Sequence, residues 1–290
     1  MQYLFVNLKR FDISPGHGGV NDLAPMNTWA SLIAATLHAG LEARKALLGE
    51  TSVAAFFPEA HLLGAAASIP PAGRLRLGCQ GVHIADTAPG GDFGAFTGQR
   101  TANAARELGC DWVLVGHSEE RRHLAGLMAR AGASPEAAAR ATGELLNLEA
   151  RCAASAGLKV LFCVGERAEE LPLRARVLEG QIEAGLAGVG GTELVLAYEP
   201  VWAIGPGKTP PDAGTIGRIA AEIKEMSPLP LVYGGGLKLE NAESIGALPS
   251  LDGGLVALTR FTGRIGFDPA DFLAIADAYL RGRARAGGMS

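Results

Sequence analysis

The chain has 290 residues, 48% of them hydrophobic and 19% charged, with a net charge of −4 at pH 7. That apolar share can fill a large core and excludes a disordered chain. With 26 basic against 30 acidic residues there is no excess of cations to neutralise a nucleic-acid backbone. The 40 glycines follow no collagen period.

Cys79, Cys110, Cys152 and Cys163 show no zinc or redox spacing, and three lie in or beside apolar stretches. Reduced thiols in a cytoplasmic protein are the expectation. Residues 1–10 lack the basic and apolar regions of a signal peptide. No apolar run is long enough to span a bilayer.

In chain order, the first short apolar strand is 3–6, followed by a long loop over 12–25. Residues 26–48 carry Trp29, Ile33, Leu37, Leu41 and Leu48 on one stripe and predict a helix. Strands follow at 52–56 and 75–79, then a long loop at 83–94, a helix at 102–108 and a strand at 112–115. A loop over 124–134 leads to a helix at 135–156 and a strand at 159–164. The pattern continues with helix 173–186, strand 194–198, helix 215–226 and strands 230–233 and 254–258. Asp268 caps a last helix, Pro269 fits its first turn and Gly282 follows its end.

Eight strands alternating with helices predict parallel pairing through right-handed crossovers, and eight is the number that closes a TIM barrel, (β/α)8. An open doubly wound sheet is the structural alternative, and no linker divides the chain as that would require. Residues 1–282 read as one barrel domain and 283–290 as a flexible tail. In such a barrel the chemistry sits at the carboxyl ends of the strands.

Asn7 and Lys9 follow the first strand, two apart on an extended chain, so both face the mouth while Leu8 faces the wall. Lys9 there offsets negative charge, or is simply a solvated residue opening a loop. His117 ends the fourth strand beside Ser118 and Glu119, which suits an acid/base or electrophilic group as well as a structural histidine. Glu199 ends the sixth. A carboxyl on a buried strand has a raised pKa and can act as a base, though a solvated position is the plain alternative. The run from Pro200 to Thr209, with Gly205 and Gly207, has the composition of a closing lid. A nucleotide P-loop is excluded because Trp202 stands where its first glycine belongs. Gly234, Gly235 and Gly236 after the seventh strand let backbone amides approach a phosphate, or make a tight turn.

In this order the residues resemble the triosephosphate isomerase family. The matching motifs are Asn7-x-Lys9, Gly116-His117-Ser118-Glu119, the lid from Tyr198, Tyr233-Gly234-Gly235, Gly94-Ala95-Phe96-Thr97-Gly98 and Phe162-Cys163-Val164-Gly165-Glu166. The resemblance implies an aldose–ketose isomerase that interconverts glyceraldehyde 3-phosphate and dihydroxyacetone phosphate through an enediolate. It makes Glu199 the base, His117 the neutral electrophile, Lys9 the charge-offsetting cation and Asn7 a substrate-orienting group. Ser118 holds Glu199, and Glu119 pairs with Lys9. Gly205, Gly235 and Gly236 hold phosphate with the positions of Ala257 and Leu258. No metal or organic cofactor is implied. The partners implied are a small phosphorylated sugar and a second copy of the chain, whose 94–98 loop brings Thr97 near Asn7 and His117. Neither nucleic acid nor membrane is among them.

The departures cluster at the anion end. Ala257 and Leu258 replace two glycines, Gly236 replaces a serine, and Pro206 a threonine. Glu120 separates Glu119 from Arg121 and Arg122, and Leu8 stands for tryptophan. Arg260 is a candidate replacement cation. The alternatives are an isomerase of another sugar phosphate such as a tetrulose phosphate, an aldolase using Lys9, and a non-catalytic sugar-phosphate-binding barrel.

Overall fold

The computed structural model describes residues 1–205 and 208–287. Eight parallel strands close on themselves in sequence order, β1 pairing with both β2 and β8. They are β1 (Tyr3–Asn7), β2 (Ser52–Phe57), β3 (Leu75–Gln80), β4 (Trp112–Val115), β5 (Lys159–Val164), β6 (Leu194–Tyr198), β7 (Leu231–Tyr233) and β8 (Gly253–Val256). The helices are α1 (Met26–Glu42), α2 (Lys45–Leu48), α3 (Leu62–Ala66), α4 (Ala102–Glu107), α5 (Ser118–Arg130), α6 (Pro135–Ser155), α7 (Arg174–Leu186), α8 (Ala213–Met226), α9 (Leu239–Gly246) and α10 (Pro269–Gly287).

The alternation of side chains along each strand divides the core in two. Phe5, Phe56, Trp112, Leu161, Val195 and Leu255 fill the barrel, while Leu4, Val6, Leu8 and the helix stripes make the outer layer. The barrel floor is aromatic. Phe5 meets Trp112 at 4.9 Å and Phe56 at 5.8 Å, both edge-on. Burying each such ring stabilises the fold by about 1.5–3 kcal/mol. β8 can close the barrel because its first residue is glycine. A Cβ on Gly253 would lie 1.9 Å from the Tyr3 carbonyl oxygen.

Four expectations are corrected. The helix over 26–48 breaks after Glu42 and resumes at Lys45. Residues 124–130 are not loop but the second half of α5. That helix buries none of its residues, so it shows no apolar stripe; caps and charges define it, with Glu119 and Glu120 in the first turn and Arg130 in the last. β8 ends at Val256, leaving Ala257 and Leu258 in the connection beyond it. Finally, Gly282 does not stop α10, which runs to Gly287. A Cβ on Gly282 would lie 2.0 Å from the Glu243 carbonyl oxygen, and one on Gly246 would lie 2.1 Å from that of Tyr279. These glycines let α9 and α10 pack backbone to backbone. Of the expected tail, 283–287 are therefore helical, and 288–290 lie outside the described residues. Among the described residues, no helix is long and apolar enough to cross a membrane.

Candidate active site

The polar residues that end β1, β3, β4 and β6 converge at the carboxyl mouth of the barrel. Asn7 closes β1 and is buried. Its Oδ1 accepts the Lys9 N–H at 3.0 Å and the Gln80 side-chain N–H at 3.3 Å. Gln80, at the end of β3, also donates to the Lys9 and Phe56 carbonyls, both at 3.1 Å. Lys9 does not continue the strand. It sits at φ +41°, in the left-handed region that a side-chain-bearing residue rarely adopts. This turn, rather than strand alternation, aims its ammonium at Glu119, and Nζ lies 2.9 Å from Oε1. Burial raises the Glu119 pKa and is the largest single influence, but Lys9 and then His117 outweigh it and hold the carboxyl below its ordinary range.

His117 is the N-cap of α5. Its Nδ1 accepts the Glu119 backbone N–H at 3.2 Å. A nitrogen that accepts from an amide carries no proton, so the ring proton is on Nε2. Nε2 stands 3.0 Å from Glu199 Oε1, and Glu199 Oε2 accepts the Ser118 backbone N–H at 2.9 Å. Ser118 thus holds Glu199 through its main chain.

Glu199 is 3% exposed. A raised pKa was the sequence-based expectation; the structure gives a lowered one. Burial does push it up and is the largest single influence. The His117 contact, the Ser118 amide and Lys9 together reverse the direction. Neighbouring glycines make room for this strand end. A Cβ on Gly165 would lie 1.9 Å from the Glu199 carbonyl oxygen, and one on Gly234 3.2 Å from Glu199 Cγ.

Beyond Glu199, Val201–Ala203 form a 3-10 turn. Trp202 Nε1 and Tyr198 Oη both donate to Oε1 of the buried Glu166, each at 2.9 Å. Among the described residues, Oε2 of that carboxyl has no hydrogen-bond partner, and burial raises the Glu166 pKa. Gly205 is described at φ +117°. The expected stiff tip at Pro206 and Gly207 lies outside the described residues.

Gly235 and Gly236 follow β7, where the Tyr233 hydroxyl donates to the Gly235 carbonyl at 2.7 Å. Ala257 and Leu258 are half-buried. Arg260 is not free to replace their amides. Its Nη2 lies 2.8 Å from Asp268 and its Nε 2.7 Å from Asp271, so it is tied to the start of α10. Residues 260 and 266 pair as a small hairpin, and Arg264 reaches across to Asp22.

A cavity of about 440 Å³ opens at the mouth, and its lining includes Asn7, Lys9, Gln80, His117, Glu119 and Glu120 together with Phe11, Ile13 and Val20. Sequence reasoning missed Gln80, although it obeys the same rule as Asn7 and Glu199, a polar residue closing a buried strand. It also gave no part to Glu149, which lies mid-helix far along the chain. Among the described residues, no group of three or more histidine, cysteine, aspartate or glutamate side chains is placed to hold a metal ion.

The fold and this site define a class: a (β/α)8 barrel whose carboxylate, imidazole and ammonium groups meet at the mouth. A family model described as triosephosphate isomerase matches residues 26–279. The triosephosphate isomerase of Halorhodospira halophila is 38% identical over 241 residues, covering 78% of this chain and 85% of that protein. That of Herpetosiphon aurantiacus is 35% identical over 232 residues, covering 75% and 82%. The crystal structure of the enzyme from Bartonella henselae aligns with a TM-score of 0.67 at 22% identity, over 96% of this chain and 98% of that one, which supports the fold. The chain belongs to the triosephosphate isomerase family and is an isomerase.

Proposed function

We propose that the protein interconverts glyceraldehyde 3-phosphate and dihydroxyacetone phosphate. The observation that carries this reading is the 3.0 Å contact between Glu199 and His117, with Lys9 held beside them by Glu119. Glu199 leaves His117 and takes a proton from the carbon beside the substrate carbonyl. The freed His117 Nε2–H donates to the carbonyl oxygen as negative charge develops there. Lys9 offsets the charge of the enediolate, and Asn7 orients its oxygens. Glu199 then returns the proton to the neighbouring carbon while His117 carries the hydroxyl proton from one oxygen to the other, so no atom is gained or lost. Closure of the lid excludes water from the intermediate. Main-chain amides at Gly205, Gly235 and Gly236 face the phosphate.

A second reading is an isomerase of a longer sugar phosphate such as a tetrulose phosphate. It is favoured by one observation: the β8 connection carries Ala257, Leu258 and the 260–266 hairpin where backbone alone is expected at the anion end. An aldolase using Lys9 is not favoured, since the ammonium is engaged by Glu119. A coupled assay on both triose and tetrulose phosphates tests the reading. Fast triose turnover supports the first; turnover of the tetrulose phosphate alone supports the second.

The same proposal includes a cytoplasmic homodimer. The loop from Gly94 to Gly98 is largely exposed, and Phe93 before it is 96% exposed. A second copy covers this ring, with Thr97 entering the partner's cavity near Asn7 and His117. Sedimentation of an active monomer overturns it. Four free thiols suit a reducing compartment.

A further inference from the structure

The turn that delivers His117 is clamped from both sides by the helix it begins. Gly116 lies at φ +76°, and its N–H donates to Glu120 Oε2 at 2.6 Å. Its carbonyl accepts Arg121 Nε at 2.8 Å, while Arg121 Nη2 reaches the Cys163 carbonyl on β5 at 2.7 Å. Behind Glu120 stands Glu149 of α6, 4% exposed. Its Oε1 accepts the Val82 N–H at 2.7 Å, and its carboxyl is hydrogen-bonded to that of Glu120. The two groups meet over Gly81. A Cβ there would lie 2.9 Å from Glu149 Oε1 and 3.8 Å from Glu120 Oε1.

Two carboxyl groups in hydrogen-bond contact need a proton between them. Among the described residues, no arginine or lysine donates a hydrogen bond to either carboxyl. Arg121 on α5 is close enough for its charge to act on Glu120, but its hydrogen bonds go to two carbonyls. Arg100 donates to the Gly81 carbonyl and pairs with Glu59. The other titratable neighbours are Cys79 on β3, Cys152 on the same helix as Glu149 and Cys163 on β5, and none supplies positive charge.

We propose that Glu149 is a positioning residue for the isomerase, holding with Glu120 one shared proton that fixes the Gly116–His117 turn. With Oε1 of Glu149 and Oε2 of Glu120 taken by amides, the proton bridges the remaining oxygens. Burial, and then the Glu120 charge, lift the Glu149 pKa well above the ordinary carboxyl range, so the proton is held where an ordinary carboxyl has already lost it. In alkali it passes to solvent. The two charges then repel, Glu120 withdraws from the Gly116 N–H, and Nε2 of His117 leaves its working position. Displacements of about 1 Å cost a proton-transfer site roughly 100-fold in rate. The inference rests on the proposed role of His117.

Infrared spectroscopy of the full chain above neutral pH tests the proton directly. Wild type is expected to show a neutral-carboxyl band that Glu149→Gln removes; an identical band in both, or none in wild type, overturns the proposal. In the isomerase assay, wild-type kcat falls on the alkaline side. Glu149→Gln replaces the shared proton with an amide N–H, and its kcat stays level through that range. Coincident alkaline falls overturn the proposal. Glu149→Leu, with neither donor nor acceptor, lowers kcat roughly 10- to 100-fold at neutral pH and changes KM less. The infrared band is read without substrate. Failure of the triose assay therefore leaves the shared proton to be decided on its own.

Discussion

Glu199 and His117 are each other's partner in the resting site, Oε1 to Nε2 at 3.0 Å. The base is stored against the electrophile and must let go of it to reach a substrate carbon. Glu199→Gln keeps the shape and loses the basicity. Its kcat is expected to fall about 10²- to 10⁴-fold, with an unchanged circular-dichroism spectrum. Turnover at the wild-type rate removes Glu199 from the mechanism.

The lowered pKa of Glu199 fixes the sign of its acid dependence. Its folded value lies below the unfolded one, so its stabilising contribution is present above the ordinary glutamate range and is lost as pH falls through the folded value. The same protonation removes the base. Stability and kcat/KM therefore decline together below the ordinary glutamate range, and Glu199→Gln removes this shared acid dependence. Parallel denaturation and rate profiles across pH check it.

Lys9 holds a left-handed backbone at φ +41°. Such a conformation costs a residue with a Cβ about 1–2 kcal/mol, and glycine almost nothing. Lys9→Gly is expected to be more stable than Lys9→Ala by about 1 kcal/mol in denaturant titrations, with both variants poorly active. Equal stability refutes the strain.

Trp202 gives its N–H to the buried Glu166 carboxyl, whose other oxygen has no partner among the described residues. Trp202→Phe should destabilise the protein by about 1–3 kcal/mol at neutral pH. Burial raises the Glu166 pKa, so any stabilising contribution from its protonated form is fully present below the unfolded value and is lost as pH rises through the folded value. The penalty for Trp202→Phe therefore shrinks in acid, where Glu166 is neutral. Denaturation at two pH values measures the difference.

Gly282 faces the Glu243 carbonyl so closely that Gly282→Ala must part α9 from α10. A loss of about 1–3 kcal/mol is expected by chemical denaturation, although alanine is the better helix former.

Much of this molecule is legible in its sequence because parallel strands buried on both faces are short runs of Val, Leu and Phe. Val160, Leu161 and Phe162 announce β5 in this way, and Glu199 and His117 are conspicuous as polar residues that end such runs. What escapes the reading is set by contacts between distant segments. α5 mixes Leu124, Leu127 and Met128 with charged residues and fully buries none of them, so no strong apolar stripe marks it. Gly282 has the composition of a helix stop, yet its role is set by Glu243 in another helix. The pKa of Glu199 depends on Ser118, His117 and Lys9, none of which adjoins it in sequence. Arg260 is a plausible anion ligand until Asp268 and Asp271 are seen to hold it. Glu149 gains meaning only where the fold stands it against Glu120.

The pairing of β1 with β8 joins the earliest strand to the last. Tyr3 and Gly253 lie side by side in the closed barrel yet emerge from the ribosome far apart in time. Until Gly253 has been made, the inward-facing Phe5 and Phe56 lack one wall of their chamber and the upper edge of β1 has no partner. A nascent chain halted before β8 should therefore be sticky and protease-sensitive however many helices it has formed, with closure arriving as a late step.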